Sequence, residues 1–169
     1  YQNLTKHNAC DTAMYLLKRF PGDATRVKQA RDILRFAEDQ FVVWRSPCRS
    51  DGTGAWNPIY PFYAWRTPAV LEQYTCYSPI DASAAKLIRT CLALYRAEGR
   101  ALDLAKARAL GDSMLNNQDA NGRIRTYWIP EAEDADEPLA GAIRLPLGGD
   151  WYNCMVADAV ALSLLAELE

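Results

Sequence analysis

The sequence predicts an all-α protein built of antiparallel αα-hairpins that form part of an α/α toroid. Three observations carry that prediction. First, a helix pair recurs. The stretch from Lys28-Gln29-Ala30-Arg31 to Gln40 returns from Lys106-Ala107-Arg108-Ala109 to Gln118, a shift of 78 residues that also takes Leu16 to Leu94. A fixed internal period marks stacked or closed repeats, in which no single unit buries its own apolar face. Second, apolar residues follow a three-four spacing through the periodic segments. Third, strongly apolar segments alternate with amphipathic ones, as an inner ring of helices wrapped by an outer ring requires.

Residues 8–20 read as the first helix, ended by Pro21-Gly22. Asp23 then caps a second helix over about 24–42. Its apolar positions are Val27, Ala30, Leu34, Ala37 and Phe41, and its other face carries Arg26, Lys28, Arg31, Arg35 and Glu38. A long Pro-, Gly- and aromatic-rich segment follows over about 43–78. The next helix, about 81–98, carries Ala84, Leu87, Ile88, Cys91, Leu92, Leu94 and Tyr95 round more than half its circumference, with Gly99 suited to its C-cap. The helix over about 102–118 is amphipathic again, with Lys106, Arg108 and Asp112 outside. Asp119-Ala120-Asn121-Gly122 opens a second long loop, about 119–152. The last helix, about 153–168, is apolar nearly all round (Met155, Val156, Ala159, Val160, Leu162, Leu164, Leu165) and is expected to be interior. Short turns make antiparallel hairpins. Both long loops connect an outer helix to the next inner one, so both are expected at the same end, where a site can be built on a rigid scaffold.

Bulk properties exclude several classes. The 169 residues suit a single domain spanning 1–169, with about two and a half hairpins. A net charge of −2 gives no basic footprint for nucleic acid. No apolar run is long enough for a membrane helix, and the N-terminus is no signal peptide. The missing start Met suggests a mature form or a piece of a longer chain. The compartment stays open between periplasmic, extracellular and cytoplasmic. Cys10, Cys91 and Cys154 fall in apolar helical stretches as small hydrophobes. Cys48 and Cys76 lie in or near a long loop, where they pair only in an oxidising compartment. One histidine, His7, and scattered cysteines argue against a metal site. No Gly-rich phosphate loop or nucleophile elbow is present, so no cofactor is expected.

The residues Leu102-Asp103-Leu104-Ala105-Lys106-Ala107, Leu110-Gly111-Asp112 and Asn117-Gln118-Asp119-Ala120-Asn121-Gly122, followed by the strand-like Arg123-Ile124-Arg125-Thr126-Tyr127-Trp128, resemble the six-hairpin glycosidase-like superfamily. Pro68-Ala69-Val70-Leu71-Glu72-Gln73-Tyr74 to Ile80-Asp81-Ala82-Ser83 is similar to stretches of bacterial members. The resemblance implies an (α/α)6-type toroid and a bacterial glycan-degrading hydrolase or lyase. It departs in size, because six hairpins complete such a ring. A fragment packed against a missing remainder, or association into a homo-oligomer, would then cover the inner helices.

The first long loop holds Trp44, Trp56, Tyr60, Phe62, Tyr63, Trp65, Tyr74 and Tyr77, and the second adds Tyr127, Trp128, Trp151 and Tyr152. Flat aromatic rings cover the C–H faces of sugars and offer a polar tip to hydroxyls, so a carbohydrate is the expected ligand. Trp65, Trp128 and Trp151 are the foremost contact candidates; the competing reading is that such rings plug gaps between helices. Glycoside hydrolysis needs one protonated and one ionised carboxyl. Asp150, between Gly148-Gly149 and Trp151-Tyr152, and Glu72, beside Gln73 and Tyr74, are the catalytic candidates. Asp150 reads equally as a turn or cap, Glu72 as an arginine partner, and Asp81 as a helix cap or first-turn residue. The acidic run from Glu131 to Glu137 reads as solvated. A lyase would instead use Arg66, Arg123, Arg125 or Arg144 against a uronate carboxylate and Tyr127 or Tyr152 as base. Epimerases of this fold use paired histidines, which the chain lacks. The rival class is a non-catalytic glycan-binding or protein-interaction scaffold.

Overall fold

The computed structural model describes residues 4–45, 67–72, 78–126, 128 and 152–168. Five helices dominate them: α1 (Leu4–Arg19), α2 (Ala24–Phe41), α3 (Asp81–Glu98), α4 (Ala101–Asn116) and α5 (Tyr152–Ala166). Three short strands, β1 (Val42–Val43), β2 (Ala69–Glu72) and β3 (Ser78–Pro79), form a small antiparallel sheet in the order β1-β2-β3. The all-α class therefore holds, with strands added where a loop was expected. Val42, Val43 and Val70 are β-branched, and short runs of this kind are easily lost inside a long connection. Helix α1 begins at Leu4, one turn before the expected start, since no Pro or Gly stands in its way.

Helix α2 starts where Asp23 accepts from the amides of Thr25 and Arg26, at 2.9 and 3.1 Å. All five of its expected apolar positions, Val27, Ala30, Leu34, Ala37 and Phe41, are buried. Helix α3 ends at Gly99, whose φ of +68° is the left-handed conformation that glycine adopts freely, and its N–H closes on Tyr95 O at 2.7 Å. The 117–124 turn closes through Asp119, whose Oδ1 accepts from the amides of Asn121 and Arg123 at 2.8 and 2.9 Å. These bonds to the carboxylate, Arg123 N–H foremost, hold Asp119 below the usual carboxylate range.

The helices form two rows. Helix α3 packs on α1 to one side and α5 to the other, while α2 lies on α1 and α4 on α3. The row α1–α3–α5 runs parallel. Lys86 of α3 meets Asp11 of α1 at 2.7 Å, Arg96 near the end of α3 meets Glu167 just past α5 at 3.5 Å, and Asp81 and Cys154 meet at the two starts. The α2–α4 row is stitched by Arg31 with Asp103 and by Lys106 with Glu38. The core lies between the rows, around Leu87, Ile88, Leu92, Leu110 and Met114. Cys10, Cys91 and Cys154 are buried thiols outside any disulfide among the described residues; Cys48 and Cys76 lie outside the described residues.

Helix α5 departs from expectation. Met155, Val156 and Val160 are 41, 48 and 40% exposed, so one face is open rather than interior. Among the described elements, α3 and, through the gap left by Gly111, α4 cover it. A β-carbon on Gly111 would fall 2.6 Å from Leu165. An apolar circumference demands cover on every side, and two neighbours cover only part of it. No described helix is long and apolar enough to cross a membrane.

Candidate functional site: a buried acid pair where the two long connections meet

Both long connections return to the N-terminal end of α3. On one side β2 delivers Val70, whose carbonyl accepts from Ile80 N–H at 3.1 Å. On the other, Asp81 N–H donates to Thr126 O at 3.0 Å and Trp128 N–H to Pro79 O at 3.1 Å. The two connections thus sandwich residues 79–81, and the first turn of α3 is pinned from both sides before the helix begins.

Asp81 opens α3, as a first-turn residue, but its exposure is 0%. One carboxyl oxygen accepts from the Ala82 amide. Asp158, in the middle of α5 and 2% exposed, hydrogen-bonds to Asp81, and the thiol of Cys154, one turn before Asp158, bonds to Asp81 as well. Written as two carboxylates, Asp81 Oδ2 and both oxygens of Asp158 are buried with no donor among the described residues. A single proton between the carboxyls resolves this: the protonated Asp81 donates and Asp158 accepts. Burial and the Asp158 charge push Asp81 up to about 8, against the pull of the Ala82 amide. Burial pushes Asp158 up to about 6, with the bond from Asp81 opposing. The two protons belong to the pair rather than to either residue. Burial, with Asp81 adding to it, raises the Cys154 thiol to about 12, so it stays protonated as a donor.

This pair was not among the sequence candidates. The sequence gives Asp81 as a cap or first-turn residue and assigns no role to Asp158. The available signal was Asp158 as the single charge between Tyr152 and Ala166 in an otherwise apolar helix, because a buried charge needs a partner.

The expected site residues fall as follows. Asp150, Trp65, Arg66, Tyr127 and Trp151 lie outside the described residues. Glu72 ends β2, paired with Ser78, and Tyr152 opens α5; their side chains are outside the description. Arg125 is exposed on the segment after the 117–124 turn. Trp128 is 2% exposed, packs against the core, and leaves its indole Nε1 with no acceptor among the described residues. Backbone geometry brings the positions of Glu72 and Trp128 to the same end as Asp81. The described His, Cys, Asp and Glu residues form no cluster of three suited to a metal ion.

A separate groove of about 730 Å³ opens at the other end, where Met14, Tyr15 and Leu17 of α1 face Ala93 and Ala97 of α3.

These features define a helical-hairpin protein with a buried acid pair beneath the junction of its long connections. No protein-family model, curated protein or solved structure matches the chain.

Proposed function

We propose that the chain is a carbohydrate-active protein of the glycan hydrolase or polysaccharide lyase type, forming part of a larger (α/α)6-type toroid akin to the six-hairpin glycosidase-like superfamily. The observation that carries the reading is the convergence of both long connections on the N-terminal end of α3, within a parallel inner row backed by an outer one. These connections are also the most aromatic stretches of the sequence, which suits stacking on sugar rings. The open face of α5 is consistent with cover from a further hairpin or a second copy. In this reading Asp150 and Glu72 are the acid–base candidates. Trp65, Arg66, Arg125, Tyr127, Trp128, Trp151 and Tyr152 bind or border the sugar, and no cofactor takes part.

A second reading, a non-catalytic glycan-binding or protein-interaction scaffold, has one observation in its favour. The acid pair that the fold does build is buried and within hydrogen-bonding reach. Glycosidase carboxyls stand about 5–9.5 Å apart with substrate or water between them. Asp81 and Asp158 are therefore not the hydrolytic pair, and catalysis would fall to Asp150 and Glu72.

The test is to incubate the chain with a panel of soluble polysaccharides, measuring reducing ends and unsaturated uronate products. Affinity electrophoresis on the same panel reads binding alone. Turnover abolished by Asp150→Asn or Glu72→Gln supports the enzyme. Retardation without turnover supports the scaffold. A chain that neither binds nor cleaves any glycan removes the carbohydrate reading.

A further inference from the structure

We propose that Asp81 and Asp158 form a proton-operated latch that holds the first half of α5 on the start of α3 and lets it open when the shared proton leaves.

The geometry supplies each part of the device. The two carboxyls come from residues 77 positions apart, so their bond joins two elements and not two turns of one helix. Both are essentially sealed from water, and as a doubly ionised pair they leave three buried oxygens without donors. One proton turns that arrangement from repulsion into a hydrogen bond, and nothing else among the described neighbours does the same work. The forces on Asp158 come from burial and from Asp81; those on Asp81 come mainly from burial, Asp158, the Ala82 amide and Cys154. No lysine, arginine or histidine is among them. The segment before Trp128 offers Thr126 to Cys154, and its two cations, Arg123 and Arg125, are exposed. Helix α4 meets α5 through Gly111 at Leu162 and Leu165, beyond Asp158.

The same geometry says what moves. The start of α3 is pinned by Val70 O, Thr126 O and Trp128 N–H in the short-strand region. Among the described residues the start of α5 is held by side chains, the Cys154 thiol to Asp81 and Thr126 and Asp158 to Asp81, with no backbone hydrogen bond to another element, and its other face is open at Met155, Val156 and Val160. The end of α5 is held by Leu162 and Leu165 against Gly111 and by Glu167 to Arg96. Charging the pair therefore costs least if residues 152–158 swing away while the rest of the molecule stays closed. The latch is independent of whether this end of the molecule binds a glycan.

Native-state amide hydrogen exchange, corrected for the intrinsic pH dependence of exchange, is the test. The opening constant of α5 amides over 154–160 is expected to rise about tenfold per pH unit between about pH 6 and 8, the slope for one proton released on opening. Amides of Leu87–Leu94 in α3 should show no such slope. In Asp158→Asn the side-chain amide donates to Asp81 without titrating, and the slope should vanish. Should that variant fail to fold, carboxyl carbon chemical shifts of the wild-type chain decide the matter. Two aspartates titrating above about pH 5 support the latch, and all aspartates titrating near the usual value of about 4 overturn it. An opening constant independent of pH also overturns it. So does calcium or magnesium at pH 8 restoring α5 protection, which would make the pair a cation site instead.

Discussion

Arg31 of α2 and Asp103 of α4 face each other as a two-pronged ion pair. Arg31 Nη1 donates to Asp103 Oδ1 at 2.9 Å and Nη2 to Oδ2 at 2.8 Å. Asp103 is 2% exposed, and Arg31 also bonds Glu98, so one guanidinium serves two carboxylates from α3 and α4. The fork matches the carboxylate in a way a single ammonium cannot. These contacts raise the Arg31 pKa further, Asp103 contributing most.

Removing the guanidinium strands a buried carboxylate. Arg31→Ala should destabilise the chain by about 2–3 kcal/mol, below the value for a wholly sealed pair because Arg31 is partly open to water. Arg31→Lys should recover only part of that, leaving a loss of about 1 kcal/mol. Urea unfolding at unchanged slope reads both. A lysine variant as stable as the parent would mean the fork geometry contributes nothing.

Stability should fall as the medium becomes less acidic, the reverse of the usual carboxylate effect. The Asp81 and Asp158 values are raised in the fold, to about 8 and about 6, whereas in the unfolded chain both titrate near the ordinary aspartate value. From about pH 4 to 8 the folded chain therefore binds more protons than the unfolded one, and the stabilisation is lost as pH rises. Asp119, held low, acts oppositely and only in stronger acid, below that window. Urea unfolding at about pH 5.5 and 8 should differ by roughly 4 kcal/mol, most of it from Asp81. Asp158→Asn should flatten the difference and be the more stable form at the higher pH. A parent chain that gains stability over the same range would show that the pair does not hold its protons.

Asp23 offers a cleaner local test. It bonds two otherwise orphaned amides at the start of α2, and it lies exposed at the α1–α2 turn. Asp23→Ala should cost about 1 kcal/mol, while Asp23→Asn, an equally good cap, should stay within a few tenths. Equal losses in the two variants would point to charge, not capping, as the contribution of Asp23.

Periodicity made the helices legible. Val27, Ala30, Leu34, Ala37 and Phe41 announce a buried stripe, and each is buried. Pro21-Gly22 and Gly99 announce the turns, and Gly22 and Gly99 adopt positive φ. Those signals are local, carried within one or two turns. The acid pair is not local: Asp81 resembles any first-turn acid until α5 is laid beside it. Asp158 is legible only as an anomaly in an apolar helix. Loop acids draw attention because they are exposed, whereas the two raised carboxyls, Asp81 and Asp158, lie in helices, where burial has the most leverage. The open face of α5 was equally illegible, since sequence gives the demand for cover and not its supply.

Trp128 separates the packing and binding roles of an aromatic residue that the sequence places in a loop. Its ring is buried against the core with Nε1 unpartnered among the described residues. Trp128→Ala should cost about 3–5 kcal/mol by opening a cavity beside the start of α3. Trp128→Phe keeps much of the apolar area and deletes the unsatisfied N–H, so its cost should stay below about 2 kcal/mol. Thermal unfolding of the three proteins reads the stability order. Affinity electrophoresis on any retained glycan reads the other role. If Trp128→Phe leaves stability near the parent yet abolishes glycan retardation, the indole N–H is held unpaired for a ligand hydroxyl. If retardation survives in Trp128→Phe, the ring is a structural plug, and sugar contact belongs to the other aromatic residues of the two connections.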